Sequence, residues 1–365
     1  MNDLFRIAGE FRPVDTIADV RPYGAGNINR TFLVTCGAPE TERFILQRIN
    51  SHVFPRPDLV MKNIRVFTAH ASRKLRAEPL SGNRRWVVPE IVPTLRGEDA
   101  FLDDDGGCWR ALSFVGHAIA HDILKTPEHA REIGTGLGIF HSLVSDLPCA
   151  DLSDTLEGFH ITPRYLEQFD KALASGRRMD FAGFSHAVRF VETRREFAGV
   201  LEKARADGRL SLRPIHGDPK VNNIMLDETS GRAVSMIDLD TVKPGLVQYD
   251  IGDCLRSGCN PLGEETEEWE LVQFDTAMAR EILQGYLGEA RRFLTDDDMS
   301  FIADSARLIA FELGLRFLTD HIHGNIYFKA DFPGRNLHRA LVQFRLCESI
   351  EEQMGEIADI VRSYA

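Results

Sequence analysis

One short region of the sequence contains four polar side chains that could act together: Asp218, Lys220, Asn223 and Asp238. A carboxylate can accept the proton of a hydroxyl group, an ammonium group can neutralise a moving phosphoryl group, and Asn and Asp oxygens suit Mg²⁺. Pro219 interrupts helix formation, so the first three residues are expected on a loop. The spacing therefore predicts phosphoryl transfer, with Asp218 as base, Lys220 as phosphate contact, and Asn223 and Asp238 as Mg²⁺ ligands.

A β-hairpin is predicted to bring Asp238 close to Asn223. Residues 233–237 have the composition of a strand, and the turn-forming sequence Glu-Thr-Ser-Gly at 228–231 precedes them. Pairing of the strands on either side of this turn would place Asn223 and Asp238 at the same end of the hairpin. The alternative is a hydrogen-bonded turn with a surface lysine and an unrelated pair of aspartates.

A glycine-containing segment precedes the strand predicted at residues 31–35. Gly24, Gly26 and Asn27 occur there in the run Tyr-Gly-Ala-Gly-Asn-Ile-Asn. Because glycine permits close approach of the backbone, the N–H groups of this turn are candidate contacts for nucleotide phosphates. An ordinary hairpin turn would use the same residues, and the sequence leaves both interpretations open.

Two aspartates, Asp250 and Asp253, open a predicted helix that follows the polar loop. Acidic residues are favourable near a helix N-terminus, and this preference alone would explain both. The alternative for Asp250 is that it supports the loop that carries Asp218, and we therefore include it among the candidate site residues.

The order of the predicted elements indicates an α+β protein with two lobes. Strands are predicted at residues 31–35, 43–49, 87–92 and 109–115, and a helix at 59–76. Helices dominate the remainder, with predicted ranges of 128–145, 185–206, 265–287, 299–321 and 335–364. We predict a small antiparallel β-rich lobe over residues 1–115 that binds the nucleotide. A larger, mainly helical lobe over residues 116–365 is predicted to carry the catalytic and acceptor-binding residues.

Composition argues against several classes of function. The net charge of −12 argues against nucleic acid as a partner. Nothing in the sequence approaches the roughly 20 apolar residues that cross a bilayer, and the N-terminus lacks the layout of a signal peptide. The six cysteines lack metal-binding spacing and are expected to be free thiols. We predict a cytoplasmic enzyme that does not associate with a membrane, and the sequence does not indicate its oligomeric state.

The polar motif resembles that of aminoglycoside phosphotransferases and choline kinases, which share the protein-kinase fold. Their pattern is His-Gly-Asp, four variable residues and Asn, followed by Ile-Asp-x-Asp or Glu, and it matches residues 216–223 and 237–240. Within this group the chain most resembles N-acetylhexosamine 1-kinases, through blocks at residues 26–32, 45–50, 159–163, 222–227, 237–246, 316–321 and 327–329. The resemblance implies Mg²⁺, ATP as co-substrate, and transfer of the γ-phosphate to the anomeric hydroxyl of N-acetylglucosamine or N-acetylgalactosamine.

The resemblance also implies contacts to a sugar acceptor by Arg316, Tyr327 and His160. Each of these residues has an alternative explanation. Arg316 could form helix-surface ion pairs with Glu312 and Asp320, which lie one helical turn away on either side. Tyr327 could cover apolar core with its hydroxyl in water, and His160 could cap a helix.

One departure from the protein-kinase pattern concerns the nucleotide. Kinases of this fold usually carry a lysine on the third strand, paired with a glutamate on a helix. Here the position is Gln47, followed by Arg48, and the predicted helix at 59–76 contains no glutamate. Gln47 and Arg48 are candidate nucleotide contacts, although only one of two successive strand residues can face the cleft. The choice of nucleotide therefore stays open.

Two other functions are compatible with the sequence. One is a kinase for another small hydroxylated acceptor, such as an aminoglycoside, choline or homoserine. The other is a catalytically silent nucleotide- or sugar-binding protein, which the missing strand lysine would explain. The presence of Asp218, Lys220, Asn223 and Asp238 together argues for an active enzyme.

Overall fold

The first part of the chain is an antiparallel β-sheet in the computed structural model, which describes residues 2–24, 28–37, 41–175 and 181–364. Its strands are β1 (Ile17–Pro22), β2 (Arg30–Cys36), β3 (Arg43–Arg48), β4 (Ile91–Val92), β5 (Phe101–Leu102) and β6 (Cys108–Ser113). They lie in the order β1-β2-β3-β6-β4, with β5 paired to β6. The strand predicted at 87–92 is reduced to β4, and the other predicted strands are present.

The two faces of this sheet have different surroundings. Phe44 and Leu46 of β3 join a buried apolar cluster that includes Ala111 of β6. Because side chains alternate along a strand, Gln47 lies on the opposite face. Gln47 is directly opposite Arg110 in the pairing of β3 with β6, so both side chains emerge from the face that is turned away from the cluster.

Helices make up most of the remaining chain. They are α1 (Asn2–Ala8), α2 (Pro57–Ala77), α3 (Pro127–Val144), α4 (Thr162–Ala174), α5 (Phe184–Glu192), α6 (Val200–Ala206), α7 (Val247–Gly258), α8 (Thr276–Ala290), α9 (Asp296–Ser300), α10 (Ile302–His323), α11 (Arg335–Glu352) and α12 (Met354–Arg362). Helices α3 and α8 pack closely because both carry glycines at their contact. A Cβ atom on Gly134 would lie 1.9 Å from the carbonyl oxygen of Ile282.

Several predicted helices have different limits in the structure. The helix predicted at 185–206 is divided into α5 and α6 by a 3₁₀ segment at Arg195–Gly199. The last helix is interrupted at Gln353 between α11 and α12. The helix predicted from residue 265 begins only at Thr276, because the Asp275 side chain accepts a hydrogen bond from the N–H of Met278 and caps it there.

The polar motif lies on loops between short strands, which are located between the helical segments. These strands are β7 (Ala118–Ile119), β8 (Arg213–Ile215), β9 (Ile224–Asp227), β10 (Ala233–Met236) and β11 (Lys243–Gly245). The predicted hairpin is present as β9 and β10, with Met236 opposite Ile224. The N–H of Ile237 donates to the carbonyl oxygen of Asn223 at 2.9 Å, which places Asp238 beside Asn223.

The fold confirms the predicted α+β class, with an antiparallel sheet first and a mainly helical region after it. The chain leaves the first sheet after Ser113 and enters the second at Ala118, where β7 pairs with β9. The domain boundary expected after residue 115 stays a prediction. Within the described residues, none of the helices has the length and apolarity needed to span a membrane.

Candidate active site

The loop that carries Asp218 is anchored by the carboxylate of Asp250. One Asp250 oxygen accepts the N–H of His216 at 2.7 Å, and the other accepts the N–H of Gly217 at 2.8 Å. Gly217 has a φ of 86°. A Cβ atom there would lie 2.7 Å from the carbonyl oxygen of Thr241, so only glycine fits. Backbone geometry therefore determines where Asp218 can point.

Asp250 is itself held in a buried polar network. Its Oδ2 atom lies 2.8 Å from Nε2 of His141, and Nδ1 of His141 lies 2.9 Å from the hydroxyl of Tyr286. Burial by itself raises the pKa of Asp250, but the hydrogen bond and charge of His141 lower the pKa below its ordinary value. Asp250 therefore stays ionised and accepts hydrogen bonds from the loop. It lies on helix α7 and supports the loop from there.

Asp218, Lys220 and Asn223 converge as the sequence spacing suggests. The side-chain amide of Asn223 donates to the backbone oxygen of Asp218 at 2.8 Å and to its Oδ2 at 3.2 Å. Lys220 Nζ lies 3.2 Å from the same carboxylate oxygen. Attraction by Asp218 is the main cause that raises the pKa of Lys220, with a further contribution from Asp238. Lys220 therefore stays protonated between two carboxylates.

Asp238 has an uncommon backbone conformation, and its carboxylate is buried close to other negative charges. Its φ of 63° and ψ of 55° are left-handed, a conformation that is uncommon outside glycine and is found at functional sites. Burial, followed by the negative charges of Asp240 and Asp218, raises the pKa of Asp238 to about 7. A cation would relieve this repulsion, so the site has the electrostatics of a metal-binding position.

The donor set fits Mg²⁺ bound together with a nucleotide. No cluster of three or more His, Cys, Asp and Glu side chains in the described part of the chain could hold a metal ion by itself. Asn223 and Asp238 would thus supply only part of the coordination shell. Mg²⁺ commonly takes one or two protein oxygens and completes its shell with substrate phosphates and water. Two protein ligands suit that arrangement.

The face of the first sheet that carries Gln47 leads directly to this cluster. Gln47 Oε1 accepts hydrogen bonds from Arg110 at 3.0 Å and 2.7 Å. The guanidinium group of Arg110 also forms an ion pair with Asp240, and both side chains are buried. The second Asp240 oxygen accepts from the side-chain amide of Asn29 at 2.5 Å. Gln47 therefore contacts an arginine that contacts the motif.

Arg48 points to the other face of the sheet. Its guanidinium group lies 3.7 Å from Asp103, a residue of the turn between β5 and β6. The side chain is on the face of the apolar cluster, because it alternates with Gln47. This position does not support the prediction of Arg48 as a nucleotide contact, and Gln47 is the strand residue on the side of Asp240.

The glycine turn is described only in part. Gly24 has a φ of 73°, which is the left-handed region that favours glycine, and a Cβ atom there would meet nothing within 4 Å. Gly26 and Asn27 lie outside the described residues. Asn29, just beyond them, also accepts the N–H of Asn50 at 2.9 Å. The end of the turn is therefore held beside Asp240 and the end of β3.

His160 is buried and uses both of its ring nitrogens on protein groups. Nδ1 lies 2.9 Å from Oε1 of Glu312, and Nε2 lies 2.7 Å from the backbone oxygen of Gly217. Since both neighbours are acceptors, the ring carries a proton on each nitrogen. The predicted sugar contact would require one of these bonds to break. The geometry instead favours a role in positioning the loop.

Arg316 lies in a box of aromatic rings. Its guanidinium carbon is 5.1 Å from the ring centre of Phe159 and 5.2 Å from that of Tyr165. It is 5.9 Å from the ring centre of Tyr327 and 5.4 Å from that of Phe328. Rings at these distances stabilise a cation through their quadrupoles. Arg316 and Tyr327, two of the three predicted sugar contacts, are therefore neighbours.

The ion pairs that could have explained Arg316 are not formed. Glu312 is bound to His160 and to the hydroxyl of Thr162, and Asp320 accepts backbone N–H groups of the loop that follows α10. Among the residues that the structure describes, Arg316 has no hydrogen bond or ion pair of its own. Burial by itself lowers the pKa of Arg316, but nearby groups, including Asp218, raise it. The guanidinium N–H groups therefore make no hydrogen bond to the described residues and lie within electrostatic range of Asp218.

The sequence pattern does not predict Arg110 as part of the site, and it indicates Glu312 only as a possible ion-pair partner of Arg316. Each is a charged residue inside an otherwise apolar stretch, Arg110 in β6 and Glu312 in α10. Buried charges require partners, so a charge in a predicted core element was a signal that could have been used. The identity of the partner could not be read from it, because Glu312 and His160 are 152 positions apart.

Comparison with known proteins identifies the family. Residues 19–294 match the phosphotransferase enzyme family (APH). A microcompartment-associated aminopropanol kinase superposes with a TM-score of 0.63 at 14% identity, over 98% of both chains. An aminoglycoside phosphotransferase from Alicyclobacillus acidocaldarius gives 0.62 at 16% identity, over 98% of this chain and 96% of that one. Choline kinase from Cryptosporidium parvum gives 0.61 at 15% identity, over 99% and 98%.

The solved structures establish the fold, and the family match covers most of the chain. The arrangement of a small β-rich region and a larger helical one is that of the bilobal, protein-kinase-like enzymes. The chain belongs to the phosphotransferase enzyme family and is a phosphotransferase that acts on an alcohol group of a small molecule.

Proposed function

We propose that this phosphotransferase uses ATP and Mg²⁺ to phosphorylate the anomeric hydroxyl of an N-acetylhexosamine. The products are ADP and the 1-phosphate of N-acetylglucosamine or N-acetylgalactosamine. The observation that carries the proposal is the guanidinium group of Arg316, which is unpaired among the described residues and lies in the electrostatic range of Asp218. The motif resemblance to N-acetylhexosamine 1-kinases supports the same acceptor.

A fixed positive charge disfavours a cationic acceptor. Structurally similar proteins include kinases of choline, ethanolamine and aminopropanol, whose names indicate acceptors that carry an amine or ammonium group. Such a group would be repelled by Arg316, which has no carboxylate partner in the described part of the chain. A neutral acceptor with many oxygens instead offers partners for the N–H groups of a guanidinium.

The surroundings of Arg316 suit a sugar. Phe159, Tyr165, Tyr327 and Phe328 provide apolar ring surface against which the C–H face of a pyranose can pack. Asp253 has one buried carboxylate oxygen without a hydrogen-bond partner among the described residues. It lies within electrostatic range of His160, so we propose that this oxygen accepts a sugar hydroxyl. Donors, acceptors and apolar surface are thus combined.

The catalytic roles follow from the loop geometry. Asp218 accepts the proton of the acceptor hydroxyl, and the contacts of Asn223 and Lys220 to one of its oxygens fix the orientation of the carboxylate. Lys220 neutralises negative charge that spreads over the transferred phosphoryl group. Asn223 and Asp238 would hold Mg²⁺, which would supply positive charge to neutralise the nucleotide phosphates. Residues 1–115 form the nucleotide-binding lobe.

His160 and Asp250 position the loop that carries Asp218. Both bind the backbone of residues 216–217, one through the carbonyl oxygen of Gly217 and the other through two N–H groups. Holding the loop from two sides limits the displacement of Asp218, and displacement of a base by about 1 Å can cost about 100-fold in rate. These residues therefore act through Asp218.

An acceptor panel tests the proposal. Purified protein is incubated with ATP, Mg²⁺ and N-acetylglucosamine, N-acetylgalactosamine, choline, ethanolamine, kanamycin or homoserine, and ADP release and product mass are measured. The 1-O-methyl glycoside of N-acetylglucosamine is the matched control, because its anomeric oxygen is blocked. Turnover of the free sugars without turnover of the glycoside is expected. Turnover of choline, kanamycin or homoserine alone, or of the glycoside, contradicts the proposed acceptor.

A further inference from the structure

The positive charge that kinases of this fold place on the third strand is present here on a neighbouring strand. Gln47 of β3 is neutral, but Arg110 of β6 is directly opposite it in the register. Cross-strand partners project on the same face of a sheet and lie close together. The side chain of Arg110 therefore leaves the sheet on the same face as residue 47 and close to it, so its guanidinium group can occupy nearly the same space as the ammonium group of a lysine at residue 47.

Gln47 holds Arg110 in one orientation. Its Oε1 accepts hydrogen bonds from Nε and Nη2 of the arginine, at 3.0 Å and 2.7 Å. The remaining nitrogen, Nη1, is directed at Asp240. Nη1 and Oδ1 of Asp240 are both buried, and they contact each other as an ion pair. Nη1 is therefore the guanidinium nitrogen that faces the motif.

The location of Asp240 connects this donor to the metal-binding position. Asp240 lies two residues after Asp238, and its carboxylate forms the ion pair with Arg110. Asp238 follows Ile237, whose N–H donates to Asn223, and Asn223 and Lys220 both contact the carboxylate of Asp218, so the five charges lie in one cluster. Lys220 joins this cluster from the loop between β8 and β9, and Arg110 joins it from strand β6 of the first sheet.

A helix partner for the cation is missing from the usual place. Helix α2 has no glutamate, and Asn63, one of its buried polar residues, binds the backbone oxygens of Ser153 and Val242. Asp58, at the start of the helix, pairs with Arg56 on the surface. The carboxylate that neutralises Arg110 therefore comes from the metal motif itself, through Asp240.

We propose that Arg110 binds the phosphates of the nucleotide, as a cation moved from strand β3 to strand β6. The proposal rests on the proposed function, because it assumes that the nucleotide phosphates lie at Asp238. In the nucleotide-free protein Asp240 neutralises Arg110, and in the complex Nη1 donates to a phosphate oxygen. Gln47 acts as a positioning residue, since it fixes the guanidinium group without contacting the nucleotide.

The competing explanation is a purely structural ion pair between Arg110 and Asp240. The double variant R110Q/D240N separates the two explanations. It removes one positive and one negative charge, so the net charge of the cluster is unchanged and no buried charge is left unpaired. The matched control is R12Q/E42Q, which removes an arginine–glutamate pair near the first sheet, where Arg12 binds Glu42 at 2.9 Å and 2.8 Å.

Binding of ADP and of adenosine is measured by calorimetry in the presence of EDTA, without acceptor. EDTA removes metal, so any loss of Asp240 as a metal ligand cannot contribute. Under the proposal, R110Q/D240N binds ADP at least about tenfold more weakly than wild type, or about 1.4 kcal/mol, because a charge-assisted hydrogen bond to phosphate is lost. Adenosine, which has no phosphate, binds equally to both, and R12Q/E42Q binds both ligands like wild type.

Equal ADP affinities in wild type and R110Q/D240N overturn the proposal, as does tighter binding by the variant. An equal loss for adenosine also overturns it, since the defect would then lie outside the phosphates. If R110Q/D240N does not fold, Q47L is used, which leaves both charges and releases the guanidinium group. Selective weakening of ADP supports the proposal, and unchanged ADP binding overturns it.

The outcome is distinguishable from failure of the proposed function. A wild-type protein that binds ADP but phosphorylates no amino sugar would contradict the acceptor and leave the test of Arg110 valid. A wild-type protein that binds no adenine nucleotide would contradict both, because the shared assumption about the nucleotide would be wrong.

Discussion

Removal of the Glu312 carboxylate should destabilise the protein and displace the catalytic loop at the same time. Glu312 is 1% exposed. Its oxygens lie 2.9 Å from Nδ1 of His160 and 2.6 Å from the hydroxyl of Thr162. His160 in turn donates to the backbone oxygen of Gly217 at 2.7 Å. Glu312→Ala therefore breaks a buried chain of contacts that ends one residue before Asp218.

The magnitude follows from the charge that is left behind. Burial by itself lowers the pKa of His160, but the negative charge of Glu312 raises it above its usual value, so the ring is protonated in the native state. Removing one partner of a buried ion pair costs about 3–5 kcal/mol. For a domain of moderate size this corresponds to an apparent Tm lower by about 10 °C. Glu312→Gln keeps both hydrogen bonds with a neutral histidine and should cost only about 1–2 kcal/mol.

The sign of the pH dependence is opposite for the two partners. Because the pKa of His160 is raised, its contribution is complete below the unfolded pKa of about 6.5 and is lost as pH rises through the folded pKa. The pKa of Glu312 is lowered by His160 despite burial, so its contribution is present above about 4.5 and is lost as pH falls. The stability difference between wild type and Glu312→Gln should therefore shrink at alkaline pH.

Urea and thermal unfolding at several pH values, together with kcat and KM, are the measurements. Glu281→Ala is the matched control, because Glu281 pairs with Arg131, whose side chain is 50% exposed. Breaking that surface pair should cost at most about 1 kcal/mol. A Glu312→Ala protein within about 1 kcal/mol of wild type, with an unchanged kcat, would refute the role assigned to this ion pair.

Three further predictions concern the site itself. Asp218→Asn should lower kcat by about 100- to 10,000-fold while nucleotide affinity is retained, and a near-native rate would contradict its assignment as base. Asp238→Ala should abolish the Mg²⁺ dependence of nucleotide binding measured by calorimetry, and unchanged metal dependence would place the ligand elsewhere. Arg316→Met should raise KM for the sugar at least about tenfold with a smaller effect on KM for ATP, because it removes the guanidinium donors and keeps the aliphatic stem. An unchanged sugar KM would exclude Arg316 from the acceptor site.

Local chemistry explains why much of the fold was predictable. The hairpin of β9 and β10 depends on a turn within the same segment, and Pro219 keeps the preceding residues out of a helix. The strands of the first sheet have alternating or apolar composition that is visible in sequence. Helix limits were less predictable, since Asp275 caps α8 well after the point at which the apolar pattern begins.

The sequence by itself determined that Asp218, Lys220, Asn223 and Asp238 lie close together, because a short loop and one hairpin bring them together. Only the tertiary structure decided which side chains fix the position of these residues and which charges surround them. The partners involved are distant in sequence, with Gln47 and Arg110 being 63 positions apart and His160 and Glu312 being 152 apart. Such contacts depend on strand register and helix packing, which no local residue pattern specifies.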